Sequence, residues 1–89
     1  MNAMVVVNRQ RQTGILTKQG NKYVHVIRMT SAGIVLDSIE EDAFVSDWCE
    51  VVGYDVKHAI SQYRAYGAER GITQAAKAAL DELAAEAAV

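Results

Sequence analysis

Residues 11–29 read RQTGILTKQGNKYVHVIRM, two runs rich in β-branched and aromatic side chains on either side of Gly20-Asn21. Such side chains suit the pleated, half-buried surface of a strand. A glycine beside an asparagine suits a tight hairpin turn, because Gly20 adopts positive φ without steric cost. The stretch therefore predicts one strand starting at Gly14-Ile15-Leu16-Thr17 and a second over Lys22 to Met29. Working outward, Met4 to Val7 is a further β-branched run. Thr30-Ser31-Ala32-Gly33 is a second turn, leading into Ile34-Val35-Leu36. The N-terminal part reads as a meander of short antiparallel strands.

Residues 37–52 carry mixed signals. Ser38-Ile39-Glu40-Glu41 has the capping-box pattern, in which Ser38 accepts a backbone N–H and Glu41 reaches back. Ile39 and Ala43 fall on a different helical face from Phe44, Trp48 and Val52, which argues against a long helix. The reading is a short acidic helical turn or loop, then a strand from Trp48 to Val52 that closes the sheet. The remainder is helical. Asp55 is an N-cap, and Val56, Ala59, Ile60, Tyr63 and Tyr66 form one stripe at spacings of three and four. Gly71 stops this helix and Thr73 caps the next, whose stripe is Ala76, Leu80, Leu83 and Ala87. Tyr63 and Tyr66, with Trp48 and Phe44, are expected to pack the helix on the sheet.

The fold expected is α+β: an N-terminal antiparallel β-sheet or small SH3-like barrel followed by two C-terminal α-helices. At 89 residues the chain is a single domain, 1–89, with a β part over 1–53 and a helical part over 54–89. A chain of this size buries roughly 60–65% of its unfolded surface, which supports one core. No apolar run reaches the ~20 residues that span a bilayer. Met4 to Val7 is too short for a secretory core, and a single cysteine forms no internal disulfide. A soluble, cytoplasmic protein with no membrane partner is expected.

Charge is unevenly placed. Residues 1–36 hold Arg9, Arg11, Lys18, Lys22 and Arg28 and no acid, whereas residues 37–55 hold seven acids and no base. Arg9, Arg11, Lys18, Lys22 and Arg28, with Tyr23 and His25 beside them, have the cations and rings that a nucleic-acid surface needs to neutralise phosphates and stack on bases. The competing explanation is a hairpin with a solvated outer face and cross-strand charge pairing. A net charge of −2 and a pI near 5.6 favour the latter.

Catalytic and metal signals are sparse. Cys49, Asp55 and His58 are residue types that a thiol hydrolase uses. His58 falls on the polar face of its helix, however, and Cys49 sits in an apolar strand beside Trp48, so a buried structural cysteine is expected. His25 and His58 lack a close second ligand. The acidic run from Asp37 to Asp42 lacks the spacing and central glycine of a calcium loop. No metal, cofactor or enzymatic activity is implied. Gly71-Ile72-Thr73-Gln74-Ala75-Ala76 looks like the opening of a helix-turn-helix, but no reading helix follows. Asp81, Glu82 and Glu86 would also repel DNA.

Gly14-Ile15-Leu16, Gly20-Asn21-Lys22 and Tyr23-Val24-His25-Val26 together resemble half of a KOW- or Tudor-type hairpin of an SH3-like barrel. The format of a compact β unit with an alanine-rich helical tail is similar to that of small bacteriophage accessory proteins. That resemblance implies a non-enzymatic protein-binding module in the host cytoplasm, modulating a host factor. The alternative is a small-barrel nucleic-acid binder using the basic hairpin. The Ala76, Leu80, Leu83 and Ala87 seam is the expected protein interface, covered by a second copy in a homodimer or by a partner protein.

Overall fold

Alternation along the strands decides how this chain builds its core. The computed structural model describes residues 3–87, leaving aside the side chains of Gln19 and Ala87. Four strands, β1 (Met4–Asn8), β2 (Thr13–Gln19), β3 (Tyr23–Thr30) and β4 (Gly33–Glu40), form an antiparallel meander, because short turns leave each strand beside its predecessor. A seven-residue helix, α1 (Glu41–Asp47), links β4 to the short β5 (Trp48–Glu50), which pairs antiparallel with β1. The sheet order is β4-β3-β2-β1-β5, with β4 and β5 as its edges. Two helices follow, α2 (Val56–Arg70) and α3 (Gln74–Ala87). The α+β architecture expected from the sequence is the one observed.

Both sheet faces are buried. Val5, Ile15, Ile27 and Ile34 meet Ala59, Ile60 and Tyr63 of α2 and Ala76, Leu80 and Leu83 of α3 in one cluster. The alternate residues Val6, Leu16, Val24 and Val26 form a second cluster with Phe44 of α1 and Trp48. Phe44 and Trp48 stack on each other, 6.2 Å apart and 8° from parallel. They therefore lie on the opposite face from Tyr63, and do not pack α2 onto the sheet as expected. The period of two sends neighbouring strand residues to opposite faces, so the two clusters are separate. Each fully buried aliphatic side chain contributes about 1.5–3 kcal/mol.

A bulge at Thr17 shifts the register, with Leu16 opposite Val26 but Lys18 opposite His25. The extra residue moves Lys18 to the helix-bearing face, where it lines a shallow depression with Glu82 and Glu86 of α3.

The helix ends follow the capping signals. The Asp55 side chain accepts the Lys57 N–H, and the Thr73 hydroxyl accepts the Ala76 N–H. Gly71, at φ 107°, ends α2, and its N–H donates to the Gly67 carbonyl. The segment after it docks on the β4 edge: Ile34 N–H donates to the Gly71 carbonyl at 2.9 Å, and Thr73 N–H donates to the Ile34 carbonyl at 3.1 Å. Ile34 and Ile72 form a parallel bridge there.

Several expectations are corrected. Ala76, Leu80 and Leu83 are at most 3% exposed, so the chain's own sheet covers the expected docking seam. The side chain of Ala87 lies outside the described residues. Ala76 does bury its surface usefully, because its small size brings α3 close to strands that carry the larger isoleucines. Ser38 is not a cap. It lies within β4, which extends to Glu40, and α1 starts without a side-chain cap. β5 ends at Glu50, leaving Val52 86% exposed. Positive φ is found at Gly33, Gly53, Gly71 and Arg11, not at Gly20.

Because the seam is core, Leu80→Asp is expected to unfold the whole domain, and Leu80→Ala to cost about 2–5 kcal/mol in denaturant unfolding. A β-carbon on Gly33, at φ 125°, would run into the Gly71 carbonyl. Gly33→Ala is expected to lose about 1–3 kcal/mol by the same measurement.

Candidate binding cleft

The helix layer does not cover the whole sheet. α3 packs over β3 and β4, while α2 crosses from β4 to β1. Beside α2, Val7, Thr13 and Met29 sit at the end of the strands where the β1–β2 turn lies, and the helix covers them only in part: Val7 and Met29 are half-buried and Thr13 is exposed. On this side α2 carries the small Ala59 and Ala65. The result is an open cleft of about 580 Å³. Val5, Val7 and Met29 form its floor, α2 its wall, and Val51 and Tyr54 line it where the chain leaves β5.

Its polar groups are largely engaged within the chain. The hydroxyls of Tyr63 and Thr13 share a hydrogen bond of 3.1 Å. Tyr54 donates to the Gln62 side-chain carbonyl at 2.7 Å, and Tyr66 donates to the Thr30 backbone carbonyl at 2.6 Å. Burial raises the Tyr63 phenol above the ordinary tyrosine value, outweighing the opposing effect of the Thr13 bond. Glu69 is the one charged residue among those lining the cleft. Such a surface suits apolar contact oriented by a few polar groups.

The basic residues of the N-terminal part do not converge. Arg9 and Arg11 lie in the β1–β2 turn, and Lys18, Lys22 and Tyr23 at the other end of β2 and β3. The seven-residue β2 separates the two groups by roughly 20 Å. Lys22 and Tyr23 share a depression with Glu40, Glu41 and Asp42. His25 is half-buried, with Nδ1 3.2 Å from the Ser38 hydroxyl. Arg28 is committed to the fold: it donates to Asp37 and to the Gln12 side-chain carbonyl, both at 2.8 Å, and lies over the Trp48 ring. Asn8 locks the adjoining turn by accepting the Gln10 and Gln12 N–H groups.

Cys49, Asp55 and His58 are likewise engaged separately. The Asp55 carboxylate caps α2, the His58 ring lies 6.2 Å from that of Tyr54, and Cys49 pairs with Val7 on the sheet. Cys49 is exposed, which corrects the expected buried thiol. The strand pairing turns it to the face of Val7, near the cleft, where no helix covers it. Among the described residues, no group of three or more His, Cys, Asp or Glu is gathered to hold a metal, and no helix is long and apolar enough to cross a membrane.

The cleft itself was missed by sequence reasoning. Its floor residues read as ordinary strand and its tyrosines as ordinary core. The one available signal was the pair Ala59 and Ala65, which leave one flank of α2 thin. Comparison with protein-family models, curated proteins and solved structures gives no match.

Iodoacetamide is expected to alkylate Cys49 in the folded protein without denaturant, with mass spectrometry as the readout. Tyr63→Phe tests the buried phenol. Since its folded pKa is raised, stability from neutral Tyr63 is complete below about pH 10 and is lost as pH rises through the folded value. The variant is expected to lose about 1 kcal/mol at neutral pH and to show a shallower fall in melting temperature above about pH 10.

Proposed function

We propose that this chain is a non-enzymatic protein-binding module that works in the cytoplasm and engages its partner through the cleft beside α2. The observation that carries the reading is the partly covered row of Val7, Thr13 and Met29, apolar for the most part and opening to the surface next to the exposed Tyr54. Apolar surface of this kind beside a tyrosine matches the composition of protein-contact hot spots. The resemblance to bacteriophage accessory proteins makes a host factor the expected partner. The nucleic-acid alternative draws less support, since its cations are split between two ends of the sheet and Arg28 is bonded internally. A homodimer through the α3 seam would require the core to open, so the cleft replaces that seam in the proposal.

An affinity pull-down from the source cell, run with and without nuclease, decides between the two classes. The expected outcome is a protein partner retained after nuclease treatment. Loss of all captured protein on nuclease treatment, together with a steep decline of RNA or DNA binding with salt, would select the nucleic-acid function instead.

A further inference from the structure

We infer that the cleft accepts a short polypeptide segment bearing an apolar side chain and, two or three positions along, a lysine or arginine that pairs with Glu69. This inference rests on the protein-binding reading of the cleft and adds the chemistry of the partner.

Few polar groups of the cleft remain to be met by a partner. The hydroxyls of Tyr54, Tyr63 and Tyr66 are all bonded within the chain. An incoming segment therefore finds little unmet hydrogen-bonding demand on the floor, and apolar contact with Val5, Val7 and Met29 dominates there. Glu69 differs. It is exposed, lines the cleft, and takes part in none of the ion pairs among the described residues, which join Arg28 to Asp37 and both Arg64 and Lys77 to Asp81. The neighbouring cations are placed outside the lining. Arg70 lies over the Tyr66 ring, 5.9 Å from its centre, and Arg9 and Arg11 belong to the β1–β2 turn. A cation on the partner is the complement that Glu69 lacks.

Spacing follows from α2. Ala65 and Gln62 precede Glu69 by one and two turns, placing this stretch of the wall about 6–10 Å from Glu69 along the helix axis. An extended segment advances about 3.3 Å per residue, which gives a separation of roughly two or three positions. The cleft is open along the flank of α2, so a chain can lie in it sideways.

Selection of a random short-peptide library on the immobilised full chain tests this, followed by anisotropy titration of the enriched peptides. Ala65 and Glu69 are both exposed on α2, so Ala65→Phe and Glu69→Lys are expected to keep the wild-type circular dichroism and melting temperature. Ala65→Leu serves in place of Ala65→Phe if the larger ring disturbs the fold. The expected result is enrichment of peptides with an apolar residue followed two or three positions later by Lys or Arg. Filling the cleft at Ala65 should weaken them about tenfold or more. Glu69→Lys should weaken them about two- to fivefold, an effect reversed when the peptide's cation is replaced by Glu. Enrichment of acidic or uncharged motifs, failure to enrich any motif, or equal binding to the filled variant overturns the inference. If the pull-down partner is lost on Ala65→Phe but kept by Glu69→Lys, and the enriched peptides show no preference for a cation, the cleft reading stands and only this inference falls; a partner retained by Ala65→Phe overturns both.

Discussion

Two backbone hydrogen bonds at Ile34 govern the rest of the molecule. The Gly71 carbonyl and the Thr73 N–H take both outward-facing backbone groups of that residue, so the α2–α3 connection is stitched to the outer edge of β4. A side chain on Gly33 would collide with the Gly71 backbone, and one on Gly67 would crowd Ile72 and Ile34. From this corner α3 runs over β3 and β4, and α2 crosses back toward β1. The same arrangement that closes the core over those strands leaves Val7, Thr13 and Met29 only partly covered. The cleft is thus a consequence of how the helix pair is anchored.

A second constraint comes from burying both faces of so small a sheet. The strands cannot spend one face on solvated charge, and most charges are displaced to turns, helix surfaces and edges. Arg28 is the exception, and it is accommodated by ion pairing with Asp37, bonding to Gln12 and contact with Trp48. An exposed pair joins the helices, Arg64 of α2 to Asp81 of α3; Arg64 first, and Lys77 one turn earlier in α3 second, hold the Asp81 carboxyl below the usual aspartate range. The uneven distribution of charge along the chain is largely dissipated in space: β3 faces β4, and Lys22 lies beside Glu40 and Glu41. A run of bases in sequence need not become a basic surface when the strands that carry it are antiparallel, since successive turns point to opposite ends of the sheet.

What could be read directly was whatever neighbouring residues determine. The β-branched and aromatic runs between turns located four strands, the three-and-four spacing located two helices, and Asp55, Gly71 and Thr73 marked their ends, because a capping bond spans only a few residues. Tyr63 was recognised as buried for the same reason, as a member of an apolar stripe. Tertiary structure decided everything that depends on which segments meet. Whether Ala76, Leu80 and Leu83 faced a partner or the chain's own isoleucines depended on the Ile34 anchor, more than forty residues earlier in sequence. The exposure of Cys49 depended on its pairing with Val7 and on the absence of a helix above that cysteine. The placement of Lys18 depended on one extra residue in the β2 ladder. An amphipathic pattern states that a face must be covered, but the cover is chosen by long-range register, which no local window contains. For that reason the four meander strands, the two long helices and their caps were legible in this chain, and the Ser38 region and the cleft were not.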